Sequence, residues 1–220
     1  MQLLKQKKIN YNVFSEENKE AFLFEINNHL LMDDKPSEFF ESMLDVGLMQ
    51  KHPFYMLYNL TKAEQSPVHH PEGNVWNHTM LVIDNAAREK HKSKNQKVFM
   101  WAALLHDIGK PDTTKIRKGK ITSYNHESVG AVMAREFLSE FTEDELFIKK
   151  VTSLIRWHMQ ILHVVKDMPF ADIKAMKEET NVHEVALLGY CDRMGRKDPD
   201  ANKEKQNIDM FINKCKEFRE

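Results

Sequence analysis

The sequence predicts an all-α fold, an irregular bundle of helices in one domain. Apolar residues recur every three or four positions through most of the 220 residues, which is the spacing of one helix face. Runs with the strict alternation of a half-buried strand are missing, as are internal repeats and low-complexity segments. A basic stretch at residues 115–120 is the one plausible place for a β-turn, and we expect it to be too short to carry a sheet.

The helices are placed by their apolar spacing and by residues that begin or end helices. Ser15 and the pair Pro36–Ser37 are typical starts, and Gly109 with Pro111 is a typical stop. The segment at residues 96–107 is apolar nearly all round, which predicts a buried central helix. In chain order, the predicted helices span residues 15–31, 36–48, 53–60, 75–90, 96–107, 126–141, 143–162, 169–178, 182–194 and 202–218.

Charge and glycine content exclude several classes of function. The 32 basic and 33 acidic side chains leave a net charge of −1, so no overall field draws the chain to nucleic acid or anionic lipid. Any phosphate contact therefore has to come from a local cluster. Only 7 residues are glycine, and none lies in a GxG or GxxxxGK[ST] string. This excludes the dinucleotide-binding fingerprint and the P-loop.

Three features predict a cytoplasmic protein without a membrane partner. The first ten residues, MQLLKQKKIN, have no apolar core of a secretory signal. The longest strongly apolar stretch, at residues 98–105, is far too short to span a bilayer. Cys191 and Cys215 form neither a CxxC pair nor a zinc-finger spacing, which is typical of a reducing compartment.

The most informative segment is the pair His106–Asp107 at the end of the apolar helix. A buried carboxylate is unfavourable unless it is paired or coordinates a metal, and the neighbouring imidazole offers a second ligand. Consecutive helical residues point about 100° apart. The pair can therefore hold one ion from two directions, or leave Asp107 free to bridge two ions. Because Gly109 and Pro111 stop the helix, we expect the pair to lie near solvent.

Four further residues fit the same site. His78 and Asp192 each place one ionisable group on an otherwise apolar helix face, while His126 begins a helix and His158 follows an apolar run. For His126 and His158, a helix-cap position and a partner for a buried carbonyl are the alternatives. Such ligands suit one or two ions of Mn, Fe, Co, Ni, Zn or Mg. The predicted metal ligands are His78, His106, Asp107, His126, His158 and Asp192.

This ordered set resembles the H…HD…H…H…D signature of the HD-domain metal-dependent phosphohydrolases. The string HDIGK at residues 106–110 is similar to the HDIG variant of that superfamily. HPEGNVWNHTM at residues 70–80 resembles the start of the HD domain of bacterial CCA-adding tRNA nucleotidyltransferases, and DRMGR at residues 192–196 resembles its D-x-x-G-R ending. The resemblance implies an HD-type bundle with a phosphohydrolase domain at 37–198. A helical extension at 1–36 and a C-terminal helix at 199–220 would flank it, with residues 1–12 and that helix at the periphery.

The chain also departs from these relatives. The Gly-Ser motif and paired acidic ligands of a nucleotidyltransferase head are missing, and the 36 residues before the matched region could not hold them. We therefore do not expect this chain to add nucleotides to tRNA by itself. The GYP string of the cyclic-dinucleotide phosphodiesterases is missing too. Lys110 stands where the stringent-response hydrolases carry an acidic pair, which disfavours their substrate.

The resemblance implies an enzyme, a phosphohydrolase in which a metal-activated water attacks a nucleotide-type phosphoester. Candidate substrates are 2′,3′-cyclic nucleotides, nucleoside monophosphates and phosphates at RNA ends. In family terms, His78, His106, Asp107 and Asp192 would bind the principal ion, and Asp107 would bridge to a second ion. The alternative is a non-catalytic accessory module of tRNA or nucleotide metabolism with a structural metal, which six intact ligands disfavour. The net charge disfavours nucleic-acid binding as the main role, and the oligomeric state stays open.

Lys110, Arg193 and Arg196 supply the local cations that phosphate binding requires. We predict that all three contact substrate and that Asp107 and Lys110 are catalytic. Lys110 could instead complement the negative end of its helix, and the arginines could form structural salt bridges. His70 and Glu72 lie in the family-like string, which leaves a role at the site open for them.

Overall fold

The computed structural model describes residues 18–218. The predicted helix start at Ser15 and the predicted peripheral segment at residues 1–12 lie outside the described residues. The helices are α1 (Lys19–Met32), α2 (Ser37–Asp45), α3 (Tyr55–Tyr58), α4 (Val75–Glu89), α5 (Gln96–Leu105), α6 (Lys110–Thr113), α7 (His126–Ser139), α8 (Glu145–Trp157), α9 (Gln160–Val165), α10 (Ile173–Glu179), α11 (Val182–Met194) and α12 (Ala201–Glu217). Short 3₁₀ turns lie at Leu48–Gln50, Asn59–Lys62 and Lys90–Lys92. The predicted all-α fold is confirmed.

Helix α5 forms the centre of the bundle, as its composition predicts. Every side chain from Val98 to Leu105 is buried, and α1, α4, α8 and α11 pack around the helix. Trp101 joins an aromatic cluster with Phe54, Phe137 and Phe141. Helix α1 contributes to the same core through Phe22, which contacts Phe54. The division of the chain at residues 36 and 198 stays a prediction.

Two of the predicted helices that end early do so next to a histidine, and its side chain explains why. Helix α5 ends at Leu105 rather than at residue 107, and the predicted helix at 143–162 is divided into α8 and α9 at His158. The His106 ring donates to Ala103 O, and the His158 ring donates to Ile155 O. Each ring thus bonds a carbonyl that a continuing helix would offer to its own backbone N–H.

The basic stretch forms a hairpin, so the prediction that it is too short for a sheet is wrong. Strands β1 (Lys115–Arg117) and β2 (Lys120–Thr122) pair antiparallel, with Ile116 opposite Ile121. Lys118 and Gly119 both have positive φ, at 49° and 72°. Two such residues form the tight turn that matches the twist of a hairpin, so three residues a side are enough.

None of the helices between residues 18 and 218 combines the length and apolar character that crossing a bilayer needs.

Candidate metal centre

Separate elements bring the predicted ligands to one place. Helix α4 carries His78, and the turn after α5 carries His106 and Asp107. The remaining three ligands come from the start of α7, the turn between α8 and α9, and the last turn of α11. The six residues brought together are His78, His106, Asp107, His126, His158 and Asp192.

The centre is buried, so the expectation that His106 and Asp107 lie near solvent is wrong. Their side chains are 0% and 2% exposed. The reason is the close approach of α7 to Gly109: a Cβ built there would lie 2.3 Å from His126 O and 2.5 Å from Gly130 N. Only a residue without a side chain allows that approach. Gly109 therefore lets α7 begin close to this turn and brings His126 next to Asp107.

Asp107 lies between two groups of imidazoles. Its Oδ2 is 3.2 Å from His106 Nε2 and 3.9 Å from His78 Nε2. Its Oδ1 is 3.4 Å from His126 Nε2 and 4.0 Å from His158 Nε2. We call these groups the first subsite (His78, His106 and Asp192 beside Asp107 Oδ2) and the second subsite (His126 and His158 beside Asp107 Oδ1). Asp192 joins the first through Oδ1, 2.9 Å from His78 Nε2.

The backbone orients three of the imidazoles. His106, His126 and His158 each donate Nδ1–H to the carbonyl three residues earlier, at 2.8, 2.7 and 2.7 Å. With that nitrogen protonated, Nε2 carries the lone pair of a neutral imidazole. All three lone pairs therefore point toward Asp107, which is the arrangement that metal-binding histidines require.

Glu72 orients the fourth imidazole. Its Oε1 lies 3.0 Å from His78 Nδ1 and 2.8 Å from His70 Nδ1, and its side chain is 3% exposed. A carboxylate behind a histidine fixes the ring and raises its basicity as a metal ligand. The sequence signals this residue only through its place in the string at residues 70–80.

The residues present fit a divalent cation. His106 Nε2 and Asp107 Oδ2 are among the buried polar atoms that make no hydrogen bond within residues 18–218. His126 Nε2 and His158 Nε2 lie 3.2 Å apart, although each nitrogen carries a lone pair. Two ligands about 2.1 Å from one ion lie roughly 3.0–3.4 Å apart in common geometries. A shared ion would therefore give the imidazole lone pairs a favourable partner, and this buried His/Asp cluster could hold a metal.

The protonation states also suit a cation. Burial alone would raise the pKa of Asp107, but the nearby His106 and Lys110 hold it well below its usual range. Burial opposes a low pKa at Asp192 too, and the hydrogen bond from His78 outweighs it. Burial lowers the pKa of His126, and it lowers that of His158 to about 4. At neutral pH the centre therefore offers two carboxylates and a neutral second subsite.

A cavity of about 360 Å³ opens onto the centre, and the predicted cations line it. Lys110 Nζ lies 2.7 Å from Asp107 Oδ2 and donates to Gln65 Oε1 at 2.7 Å. Arg196 Nε is buried and makes no hydrogen bond to the described part of the chain. Arg193 Nε lies 3.4 Å from Glu204 Oε2, so the structural salt bridge is present at that residue.

Sequence reasoning missed two cavity residues. Gln65 is buried and bonds both Lys110 and Asn74 O, and Lys166 adds a cation to the wall. Both lie outside the family-like strings, and nothing in their sequence neighbourhood points to a site.

Comparison with known proteins identifies the family. Residues 75–194 match the model of the HD domain, a range that contains all six predicted ligands and more than half of the chain. The chain belongs to the HD-domain family. This places it in a superfamily of metal-dependent phosphohydrolases.

The curated relatives confirm the predicted resemblance to CCA enzymes. The chain is 36% identical over 105 residues to the multifunctional CCA protein of Actinobacillus pleuropneumoniae, covering 47% of this chain and 24% of that protein. The multifunctional CCA protein of Methylococcus capsulatus is 30% identical over 132 residues, which cover 58% of this chain and 28% of that protein. The multifunctional CCA protein of Mannheimia succiniciproducens is 25% identical over 173 residues, which cover 76% of this chain and 41% of that protein. The HD-family chain thus spans 24–41% of the length of these relatives.

Proposed function

We propose that this HD-domain chain hydrolyses nucleotide-type phosphoesters with the help of one or two divalent ions. The observation that carries the proposal is the position of Asp107. Each of its oxygens faces a separate set of imidazole Nε2 atoms, and the same carboxylate lines a cavity that holds Lys110 and Arg196. In this proposal, the six residues of the two subsites hold the metal.

A divalent cation held there would polarise a phosphoryl oxygen and lower the pKa of water. The chain's own residues provide the rest. Lys110 is in place to interact with phosphate oxygens, because its Nζ lies beside Asp107 at the cavity wall. Gln65 holds that ammonium group from the other side. Arg196 lines the same cavity, so its guanidinium provides a second cation for a phosphate group there.

The volume of the cavity limits the size of the substrate. A volume of about 360 Å³ is within the range of small-molecule sites. The net charge of −1 provides no field for a long polyanion. Both observations favour 2′,3′-cyclic nucleotides and nucleoside monophosphates, with the phosphate of an RNA end as a larger candidate that would enter by its terminus only.

One screen tests this proposal. Purified protein is assayed against cyclic and linear nucleotides with Mn²⁺, Ni²⁺, Co²⁺ and Mg²⁺ added separately, and with a chelator. We expect metal-dependent turnover that Asp107→Ala abolishes and that the exposed-site control Asp112→Ala retains. No turnover of any phosphoester, together with no bound metal by elemental analysis, would overturn the proposal and favour the accessory module.

A further inference from the structure

A second cavity adjoins the metal centre. It has a volume of about 580 Å³ and extends from His126 toward the loop between α9 and α10. The two cavities have five wall residues in common: Ser123, Tyr124, His126, Met159 and Leu162. They therefore adjoin along these five residues, and the ionic groups of the centre lie at one end of the space that they make up together.

The second cavity has mixed walls, in which polar side chains alternate with aromatic and apolar ones. Tyr124 and Phe170 both line it and are 61% and 63% exposed, and Met159, Leu162 and Met168 line it as well. A single exposed aromatic residue is ordinary on a protein surface. Two on one cleft, next to a site for a charged group, indicate a ligand with a planar apolar part.

The backbone beside Phe170 is held in place, and the ring of Tyr124 has a cationic neighbour. Gln160 is buried, and its Nε2 donates to Phe170 O at 3.1 Å while its Oε1 accepts from Asp172 N at 2.9 Å. A buried amide thus holds the loop that presents Phe170. The Arg117 guanidinium lies over the ring of Tyr124, 4.9 Å from the centroid. Walls that are ordered before a ligand arrives lose little entropy when it binds.

We propose that this aromatic cleft, formed by Tyr124, Met159, Leu162, Met168 and Phe170, binds the nucleobase of the substrate. The phosphate of the same molecule lies at the metal centre, beside Lys110 and Arg196. Bases stack on aromatic side chains with little dependence on sequence, because every base presents a planar face. The inference rests on the proposed function and deepens it: the substrate is a nucleotide rather than a phosphoester without a base.

The first experiment measures binding without phosphate and without metal. Chelator-treated full-length protein is titrated with adenosine, and contact with the base protons is followed by ligand-observed NMR. We expect saturable binding by the unmodified protein. Phe170→Ala weakens it about tenfold, since loss of one stacking partner has an effect of that order. Phe170→Tyr keeps the ring and the affinity. Phe24→Ala, which removes another exposed ring that is 53% accessible on α1, leaves binding unchanged.

The second experiment separates this inference from the proposed function. Hydrolysis of nucleoside monophosphates is compared with that of ribose 5-phosphate, which has no base. We expect Phe170→Ala to raise KM about tenfold for the nucleotides and to leave ribose 5-phosphate unaffected. Equal effects on both substrates, or adenosine binding that ignores Phe170, would overturn the base site and leave the hydrolase intact. Adenosine binding through Phe170 without turnover of any phosphoester would overturn the hydrolase instead.

Discussion

The two subsites around Asp107 differ in what orients their imidazoles and in what they face. In the first, carboxylates of Glu72 and Asp192 contact His78. In the second, His126 and His158 donate to backbone carbonyls, and the nearest carboxylate to their Nδ1 atoms, that of Glu127, lies 3.5 Å from His126 Nδ1. The first subsite's histidines have fully buried side chains, whereas those of the second line the cavity. The two subsites therefore differ in the burial of their histidines, although Asp192 of the first subsite also lines the cavity.

The pKa shifts of the histidines also differ between the two subsites. The pKa of His78 is raised: burial opposes the charged form, but the hydrogen bond with Asp192 and the Glu72 carboxylate 3.0 Å from Nδ1 outweigh it. Burial lowers the pKa of both histidines in the second subsite. Because anionic ligands attract a cation more strongly than neutral ones, we expect the first subsite to bind its ion more tightly.

Removing one histidine from each subsite should give the largest measurable difference between the two subsites. We expect His106→Ala to lower affinity for the tightly held ion by more than about 100-fold, because even the groups behind a ligand contribute 10–100-fold. His158→Ala should affect the weaker ion and leave the tighter one in place. Metal per protein is measured by elemental analysis after dialysis at fixed free metal. Equal losses in both variants would contradict two distinct subsites.

The carboxylate behind His78 provides a finer test. Glu72→Gln keeps the shape of the side chain and removes its charge, so the first subsite should lose affinity by about 10–100-fold while the second is unchanged. The matched control is Glu64→Gln, since Glu64 is exposed. Titration of chelator-treated protein with Co²⁺, followed by visible absorption, measures both affinities. Unchanged cobalt binding in Glu72→Gln would show that Glu72 only fills space.

Helix α7 packs against Gly109 and carries His126 of the second subsite. Gly109→Ala places a methyl group 2.3 Å from His126 O, so α7 has to move away from Asp107. We expect a loss of about 1–3 kcal/mol in the free energy of unfolding, with weaker metal binding at the second subsite. Urea denaturation of the metal-free variant measures the first effect, and cobalt titration measures the second. Wild-type stability would mean that α7 is free to shift.

Much of this arrangement could be predicted from the sequence, because apolar spacing defines helices and the family-like order of ligands defines which helices meet. The convergence of His78, His106 and Asp192 follows from that order, whereas their ligation of a metal stays a prediction. Burial of the pair His106–Asp107 could not be predicted from the sequence, since it depends on tertiary contacts such as that between Gly109 and Gly130. Gln65 and Phe170 were missed for the same reason: tertiary contacts position them, and short motifs do not contain that information.

The pH dependence of the free energy of unfolding tests the same difference between the subsites. Burial lowers the pKa of His158 and of His70 to about 4, against 6.5 when unperturbed. Between pH 6.5 and 4 the unfolded chain therefore binds more protons at these positions than the folded chain does. His78, with its raised pKa, is already protonated in the folded chain below pH 6.5, so its contribution is constant there. Glu72 has a pKa of about 2 against 4.5 when unperturbed, so its protonation lowers the free energy of unfolding only below pH 4.5.

The free energy of unfolding of the metal-free protein should consequently fall as the pH is lowered from 6.5 to 4.5, by at most about 1.4 kcal/mol per pH unit for each such histidine. His158→Gln removes one of these histidines and should flatten this slope. Urea denaturation at half-unit pH steps, with chelator throughout, gives the slopes. Stability that is constant or rises toward pH 4.5 would contradict a second subsite held neutral by burial, and with it the electrostatic difference between the two halves of the centre.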